Sequence, residues 1–240
     1  MSALLQTQGL GKTFRGLAAN ADIDFAIEPR SIHCVIGPNG AGKTTFLSMI
    51  SGHLAPSSGR IFYNNADITR LATVARARSG IARKFQTPSV FHGLTTRTNI
   101  ELAALRGSGS RGERRARIDE VLETIGLSAQ AQRLAAHLSH GQRQWLEIGM
   151  LLAMQAKVLL LDEPAAGMTA GETAATGALL QKLVAERGLA IIVIEHNMDF
   201  IRDLDAEITV LHLGRVIANG RFDEIAADPR VADVYLGQQA

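Results

Sequence analysis

Residues 37 to 45 read Gly37-Pro38-Asn39-Gly40-Ala41-Gly42-Lys43-Thr44-Thr45, which matches the pattern G-x-x-x-x-G-K-[ST]. Such a loop surrounds a polyphosphate with backbone N–H groups, while its lysine reaches the outer oxygens and the hydroxyl of Thr44 is placed to hold Mg²⁺. The flanks support this interpretation, because residues 31–36 are apolar like a buried strand and residues 43–51 have helical periodicity. The alternative is a glycine-rich turn that matches by chance.

Composition narrows the class of protein. The chain has 240 residues, 46% of them hydrophobic, which suffices for one large domain or two small ones. Its 25 basic and 23 acidic residues nearly balance, so no overall field favours nucleic acid. The single cysteine, Cys34, excludes an internal disulfide and fits a reducing compartment. We expect no signal peptide and no membrane span, since no apolar stretch approaches the roughly 20 residues that a bilayer requires.

The order of apolar patterns predicts an α/β fold with a helical insert. Short runs in residues 1–36 and 58–68 predict strands, with a turn at Asn64-Asn65, and the spacing over about 95–154 predicts helices. Residues 158–162 and 190–195 then predict buried parallel strands joined by a helix at 173–187. A hairpin around Gly214 and a weakly helical tail broken at Asp228-Pro229 follow. The small-residue stretch at 106–112 predicts a mobile linker.

Two carboxylates follow the apolar run of residues 158–161, where parallel sheets present ligand-binding groups. Asp162 suits the second shell of Mg²⁺, whereas Glu163 suits a general base or a water-orienting group at the γ-phosphate of a nucleotide. The alternative is that both side chains only cap the next turn.

His196 ends the next apolar strand, residues 191–194. A histidine there is usually structural, but beside a phosphate loop and a glutamate it predicts a donor that senses the γ-phosphate. Gln86 follows the run of residues 81–85 and could reach Mg²⁺ or the attacking water. On its own, Gln86 would be an ordinary polar loop residue.

The stretch Leu138-Ser139-His140-Gly141-Gln142 opens a long amphipathic helix. The S-x-x-Q spacing of Ser139 and Gln142 predicts a capping box, in which each side chain satisfies a backbone donor. A capped, glycine-bearing helix start is also an anion site that favours a phosphate. The two interpretations are compatible.

Together these motifs resemble the ATP-binding subunits of ABC transporters. Their order and spacing are similar to the Walker A, Q-loop, signature, Walker B and switch-histidine motifs, and the resemblance covers nearly the whole chain. The amino-acid sequences of four segments resemble those of the family branch that serves importers of branched-chain amino acids and urea, and they look most like the urea type. These segments are residues 83–91, 138–149, 166–169 and 228–231.

The resemblance implies a P-loop NTPase (RecA-like) core with an antiparallel β subdomain and an inserted helical subdomain. It divides a single ATP-binding domain into a core of residues 1–88 and 155–240 and a helical part of about 89–154. The implied activity is ATP hydrolysis with Mg²⁺. The implied site residues are Glu163, His196 and Gln86 for catalysis; Phe14, Gly37 to Thr45, Ser139, Gly141 and Gln142 for ATP; and Thr44, Gln86 and Asp162 for the metal.

The resemblance also implies partners. Family subunits dimerise head to tail, so Ser139 and Gly141 would contact the nucleotide of a second ATP-binding subunit. We further expect transmembrane permease subunits as direct partners and a periplasmic or extracellular solute-binding protein as an indirect one. The expected location is peripheral, on the cytoplasmic face of the inner membrane. Nucleic acid is not an expected partner. Phe14 would stack on adenine, or it would be a buried core residue.

Two positions depart from the usual family pattern. His140 stands where glycine is usual, and Thr169 stands where the loop after Walker B usually carries aspartate. These changes leave open how the site communicates with its opposite, and an asymmetric pair would require a different second subunit. The arginine-rich run at 111–117 is a solvated helix face or, alternatively, a contact with anionic lipid or a permease loop.

The rival from another class is a soluble ABC ATPase of DNA repair or translation. Repair types carry long coiled coils or zinc-binding cysteines, and translation types carry two such domains in one chain, neither of which this sequence predicts. A kinase or GTPase with a P-loop is disfavoured by the signature stretch and by His196.

Overall fold

The computed structural model describes residues 3–84 and 90–236. Within these ranges the strands form two sheets, one antiparallel and one mainly parallel. The strands are β1 Leu5–Phe14, β2 Leu17–Ile27, β3 Ile32–Ile36, β4 Ser58–Tyr63, β5 Ala66–Asp67, β6 Ile81–Lys84, β7 Val158–Asp162, β8 Ala190–Ile194, β9 Glu207–His212 and β10 Arg215–Gly220.

The helices pack around these sheets. They are α1 Lys43–Ser51, α2 Thr73–Ser79, α3 Thr96–Ala104, α4 Arg111–Thr124, α5 His140–Ala153, α6 Ala170–Arg187, α7 Met198–Asp203, α8 Phe222–Ala227 and α9 Pro229–Leu236. None of the helices in the described part of the chain combines the length and apolarity that crossing a bilayer would require.

The larger sheet has the strand order β10-β9-β3-β8-β7-β6. The five strands from β9 to β6 are parallel, and β10 closes one edge as an antiparallel hairpin with β9. Strands β7 and β8 are buried along their whole length, because every residue but the terminal Asp162 is apolar and both faces are covered. The predicted βαβ unit is therefore confirmed, with α6 as its crossover.

The smaller sheet is antiparallel, with the order β2-β1-β4-β5. Its inner face packs on the α1 face of the larger sheet, where Ile23 and Phe25 share one core with Phe46 and Leu47. The predicted turn at Asn64 and Asn65 is confirmed, since both residues adopt left-handed φ angles of 50° and 62°. Helix α1 thus lies between the two sheets, directly after β3.

Helices α3, α4 and α5 form the predicted helical insert around a shared core that includes Ile100, Val121 and Ile148. The expected linker at 106–112 is shorter in the structure, because α4 begins at Arg111 behind a capping box of Ser110 and Glu113. The remaining linker contacts the end of the insert, since Ser108 donates its backbone N–H to Gln155 Oε1 at 2.8 Å.

Arg76 fixes the end of the helix that follows the phosphate loop. This α2 side chain is 1% exposed, and its Nη1 donates to the carbonyls of Met49 and Ile50 at 2.6 and 2.7 Å. Its Nε and Nη2 donate to the carbonyls of Leu71 and Thr69 at 2.9 Å each. The positive guanidinium satisfies carbonyls at the negative end of α1, so α2 and the loop before it are tied to α1.

We predict that Arg76→Met lowers the free energy of unfolding by about 3 kcal/mol or more, because buried carbonyls lose their donors. Arg76→Lys should cost less, since the ammonium keeps the charge but not the planar fork. Urea denaturation followed by circular dichroism measures both. Arg78→Met, at an exposed position of the same helix, is the control, and equal losses for Arg76 and Arg78 would contradict the capping role.

Candidate nucleotide-binding site

The loop between β3 and α1 depends on glycines at two close approaches. At Gly37 φ is 145°, and a Cβ there would collide with the carbonyl oxygen of Leu211. At Gly42 φ is 99°, and a Cβ would lie 2.5 Å from the carbonyl oxygen of Ala19. Gly42 is the N-cap of α1, so the first N–H groups of this helix are available to a ligand. The local geometry is that of an anion site.

Lys43 lies folded over this loop. Its Nζ donates to the carbonyls of Gly37 and Pro38 at 2.5 and 3.0 Å. Burial lowers the pKa of Lys43, while the carboxylates of Glu163 and Asp162 partly offset this shift. The ammonium group donates to neutral carbonyls of the loop itself, and charged phosphate oxygens would be stronger acceptors.

Asp162, at the end of β7, forms a buried ion pair that the sequence did not predict. Its Oδ2 lies 3.0 Å from Nη2 of Arg83 on β6, and both side chains are almost fully buried. Nη1 of Arg83 also donates to Ser48 Oγ on α1 at 2.8 Å. Arg83 therefore fixes Asp162 relative to the helix that carries Lys43 and Thr44.

The donor set at this edge suits Mg²⁺. A threonine hydroxyl and a carboxylate are the hard oxygen ligands that this ion takes, and Mg²⁺ usually keeps several waters and binds nucleotide phosphates as well. No group of three or more His, Cys, Asp or Glu side chains in the described ranges could hold a metal by itself. The Thr44 hydroxyl and the Asp162 carboxylate fit a Mg²⁺ ion whose other ligands are water and nucleotide phosphates.

Glu163 and His196 meet at the carboxyl ends of β7 and β8. Glu163 Oε1 lies 3.6 Å from His196 Nδ1, with side chains 24% and 67% exposed. The φ of Glu163 is 47°, a left-handed conformation uncommon for this residue, and its N–H donates to the carbonyl of Ile194 at 2.9 Å. The two predicted groups are therefore brought together at one solvent-accessible edge.

Glu195 is a site residue that sequence reasoning missed. Its carboxylate is 1% exposed and accepts the backbone N–H groups of Ala165 at 3.0 Å and His196 at 3.1 Å. The side chain thereby ties the turn after Glu163 to the turn that carries His196. The available signal was a charged residue ending an apolar strand, which must be satisfied where it is buried.

The signature stretch forms the predicted capping box at the start of α5. Ser139 N–H donates to Gln142 Oε1 at 3.0 Å, and Gln142 N–H donates to Ser139 Oγ at 3.2 Å. The contacts of this stretch run to the segment after β7: Ser139 Oγ donates to Glu172 Oε1 at 3.2 Å, and His140 Nε2 lies 2.9 Å from the carbonyl oxygen of Ala166. Gly141 lies against Glu172 as well.

Of the two remaining predicted site residues, Phe14 is described by the structure and Gln86 is not. Phe14 is 46% exposed, with Nζ of Lys12 5.3 Å from its ring centroid, so the alternative of a buried core residue is wrong. Adenine stacking stays a prediction. Gln86 lies outside the described residues.

Comparison with known proteins places these features in a family. Residues 21–166 match the ABC transporter family model, and residues 215–240 match the model of the branched-chain amino acid ATP-binding cassette transporter. The chain is 34% identical to the probable branched-chain amino acid transport ATP-binding protein LivG of Archaeoglobus fulgidus, covering 98% of this chain and 96% of the relative. It is 36% identical to the lipopolysaccharide export system ATP-binding protein LptB of Acidithiobacillus ferridurans, covering 100% and 99%.

Solved structures agree with the fold. The ADP conformation of an ATP-binding cassette of an ABC transporter superposes with a TM-score of 0.91 at 28% identity, over 99% of this chain and 100% of the other. A dimeric post-hydrolysis cassette bound to ADP and Pi superposes with a TM-score of 0.79 at 27% identity, over 91% and 98%. The predicted fold class is confirmed. The chain is an ATPase that belongs to the ABC transporter family of ATP-binding subunits.

Proposed function

We propose that this chain powers an ABC importer of branched-chain amino acids. The observation that carries the proposal is the match of residues 215–240 to the model described as the branched-chain amino acid ATP-binding cassette transporter. In the structure the described part of this region, residues 215–236, comprises β10, α8 and α9, which pack beside β9 and the end of β3. The comparisons thus favour an importer of branched-chain amino acids over the urea importer that the sequences of the motifs suggested.

The sequence similarity of the ATP-binding subunit does not by itself identify the transported molecule. A relative named for lipopolysaccharide export matches the whole chain as well as those named for amino-acid transport do. Cargo identity therefore belongs to the permease and to a solute-binding protein, which this chain would serve without contacting the cargo. We place the subunit on the cytoplasmic face of the inner membrane, bound to permease subunits.

The site supports hydrolysis by in-line attack of water on the γ-phosphate. The loop of residues 37–42 and the N-terminus of α1 would bind the phosphates, and Lys43 would neutralise their outer oxygens. Thr44 and Asp162 would hold Mg²⁺, which supplies charge neutralisation when it is bound. Glu163 would accept the proton of the attacking water, and His196 would donate to the γ-phosphate oxygen. Gln142 would support Ser139 at the nucleotide of the partner.

Two ATP-binding subunits would complete each other's sites, with Ser139 and Gly141 of one facing the nucleotide of the other. We retain the division into a core, residues 1–88 and 155–240, and a helical part of about 89–154. The helical part exposes Phe91 by 54% and Leu134 by 39%, large apolar side chains that suit contact with a permease loop.

We predict that Lys43→Ala weakens ATP binding about tenfold to a hundredfold, because the charge-assisted hydrogen bonds to the phosphates are lost. Fluorescent-nucleotide titration of the purified chain measures this. Lys182→Ala, at an exposed position of α6, is the matched control. An unchanged affinity in Lys43→Ala would contradict the phosphate-binding role.

We predict that Glu163→Gln lowers kcat about a hundredfold or more while ATP still binds, because the amide cannot accept the proton of water. Phosphate release and nucleotide titration are measured in parallel. Glu186→Gln removes one exposed carboxylate elsewhere and should keep full activity. Turnover near the wild-type rate in Glu163→Gln would remove this residue from the base role.

Uptake tests the cargo. Cells that lack this chain should lose uptake of labelled leucine and keep uptake of labelled urea. The wild-type gene should restore leucine uptake, whereas the Glu163→Gln gene should not. Loss of urea uptake with normal leucine uptake would refute the branched-chain proposal and leave the ATPase assignment intact.

A further inference from the structure

The signature serine of this chain already has an anionic partner within its own chain. Glu172, in the first turn of α6, accepts a hydrogen bond from Ser139 Oγ through Oε1 at 3.2 Å. Its other oxygen, Oε2, accepts from the N–H and the hydroxyl of Thr169, both at 3.0 Å. One carboxylate therefore caps α6 and contacts α5 at the same time.

This contact uses the hydrogen that a nucleotide would need. A serine hydroxyl has one hydrogen to donate and two lone pairs that accept. In the structure Ser139 Oγ accepts the N–H of Gln142 at 3.2 Å and directs its own hydrogen to Glu172. Ser139 cannot donate to a phosphate of the partner's nucleotide until it releases Glu172.

The carboxylate also covers the second group that is proposed to face the nucleotide. A Cβ placed on Gly141 would lie 2.6 Å from Glu172 Oε1 and 2.8 Å from its Cδ. Glu172 Oε1 thus lies against both Ser139 and Gly141. A triphosphate that approaches these two groups would meet a like charge.

Both departures from the usual family pattern lie next to this contact. Thr169 is the N-cap of α6 and holds Glu172 in place through the capping box. His140 binds the carbonyl of Ala166 through Nε2 at 2.9 Å, which joins the signature stretch to the segment that leads into α6. Trp145 Nε1 continues the connection by donating to Thr176 Oγ1 at 2.9 Å. Helix α5 with its N-cap is thus bonded to α6 and the segment before it at three points: Ser139 to Glu172, His140 to Ala166, and Trp145 to Thr176.

We propose that Glu172 is a positioning residue that holds the hydroxyl of Ser139 away from the nucleotide and so opposes closure of the ATP-bound dimer. The inference rests on the proposed role of Ser139 at the partner's nucleotide. ATP closes the dimer only when the phosphate takes the Ser139 hydrogen from Glu172. The contact is therefore an internal competitor for the signature anion site.

Glu172→Gln separates this role from helix capping. A glutamine still forms the capping box, since its Oε1 accepts from Thr169, but it presents an NH₂ group toward Ser139. Ser139 then accepts from the amide, and its hydrogen becomes available to a phosphate. Glu172→Ala removes the competitor and the cap together. Glu186→Gln, at an exposed position on the same helix, is the charge-matched control.

The experiment measures ATP-dependent dimerisation of the Glu163→Gln chain by sedimentation velocity. Adding Glu172→Gln should lower the dimer dissociation constant about fivefold or more, the effect of removing a unit like charge at ~4 Å in water. Adding Glu172→Ala should also favour the dimer although it lowers the Tm, and Glu186→Gln should change nothing. A purely structural role predicts instead that Gln is neutral and Ala weakens the dimer.

Ser139→Ala tests the role of Ser139 separately from that of Glu172. It should weaken ATP-dependent dimerisation without changing ATP affinity of the monomer. If dimerisation is unchanged in Ser139→Ala, the proposed role of Ser139 fails. If Ser139→Ala weakens dimerisation but Glu172→Gln behaves like Glu186→Gln, only the role of Glu172 is overturned. If the parent and its Glu172→Gln form both stay monomeric with ATP, the proposed competition between Glu172 and the nucleotide is overturned together with the role of Ser139.

A second measurement tests the contact in the monomer. Hydrogen bonds from Thr169, with a smaller contribution from Ser139, hold the pKa of Glu172 below its usual range. In a carboxyl NMR titration, Ser139→Ala should raise this pKa toward the usual value, because the charged form loses a donor. A pKa that does not move would show that the contact is not made and would overturn the inference.

Discussion

Parallel pairing of three buried strands determines where the chemistry of this molecule lies. Strand β8 pairs with β3 on one side and with β7 on the other, and Val193 lies opposite both Cys34 and Leu161. Because parallel strands in this register end together, the phosphate loop after β3, Glu163 after β7 and His196 after β8 emerge at one edge. A slip of one residue in any strand would turn its side chains to the opposite face and displace its loop.

Several charged side chains are buried at this edge, and each needs a partner because the strands around it are apolar. Asp162 is paired with Arg83, and Glu195 is satisfied by backbone N–H groups. Lys84 lies 3.6 Å from Glu147 of α5, with both side chains almost fully buried; burial lowers the pKa of Lys84, while Glu147 opposes the shift. Removing one partner of such a pair would leave an uncompensated buried charge, so each pair constrains where its two side chains can lie. They fix the end of β6 against both the core and the helical insert.

The sequence predicted the features that short patterns encode. Strand periodicity, the phosphate loop, the turn at Asn64 and the capping box of Ser139 each depend on residues within a few positions of one another. It did not predict contacts between distant residues: Arg83 and Asp162 are 79 positions apart, and Ser139 and Glu172 are 33 apart. Such partners depend on the tertiary arrangement, which no local spacing specifies. The same limit applies to Arg76, whose partners Met49 and Ile50 lie on another helix.

The proposed completion of the site by a second subunit would create a particular problem for the separate chain. The start of α5 presents donors that attract an anion, and in the monomer no nucleotide from a partner meets them. Here Glu172 of the same chain accepts the hydrogen bond of one of these donors, the Ser139 hydroxyl, and its own capping box with Thr169 holds it there. The hydroxyl of Ser139 is therefore satisfied before a dimer forms. A nucleotide that later reaches Ser139 must exchange one hydrogen bond for another, so the free energy of closure depends on the difference between the two anions and not on the phosphate contact alone.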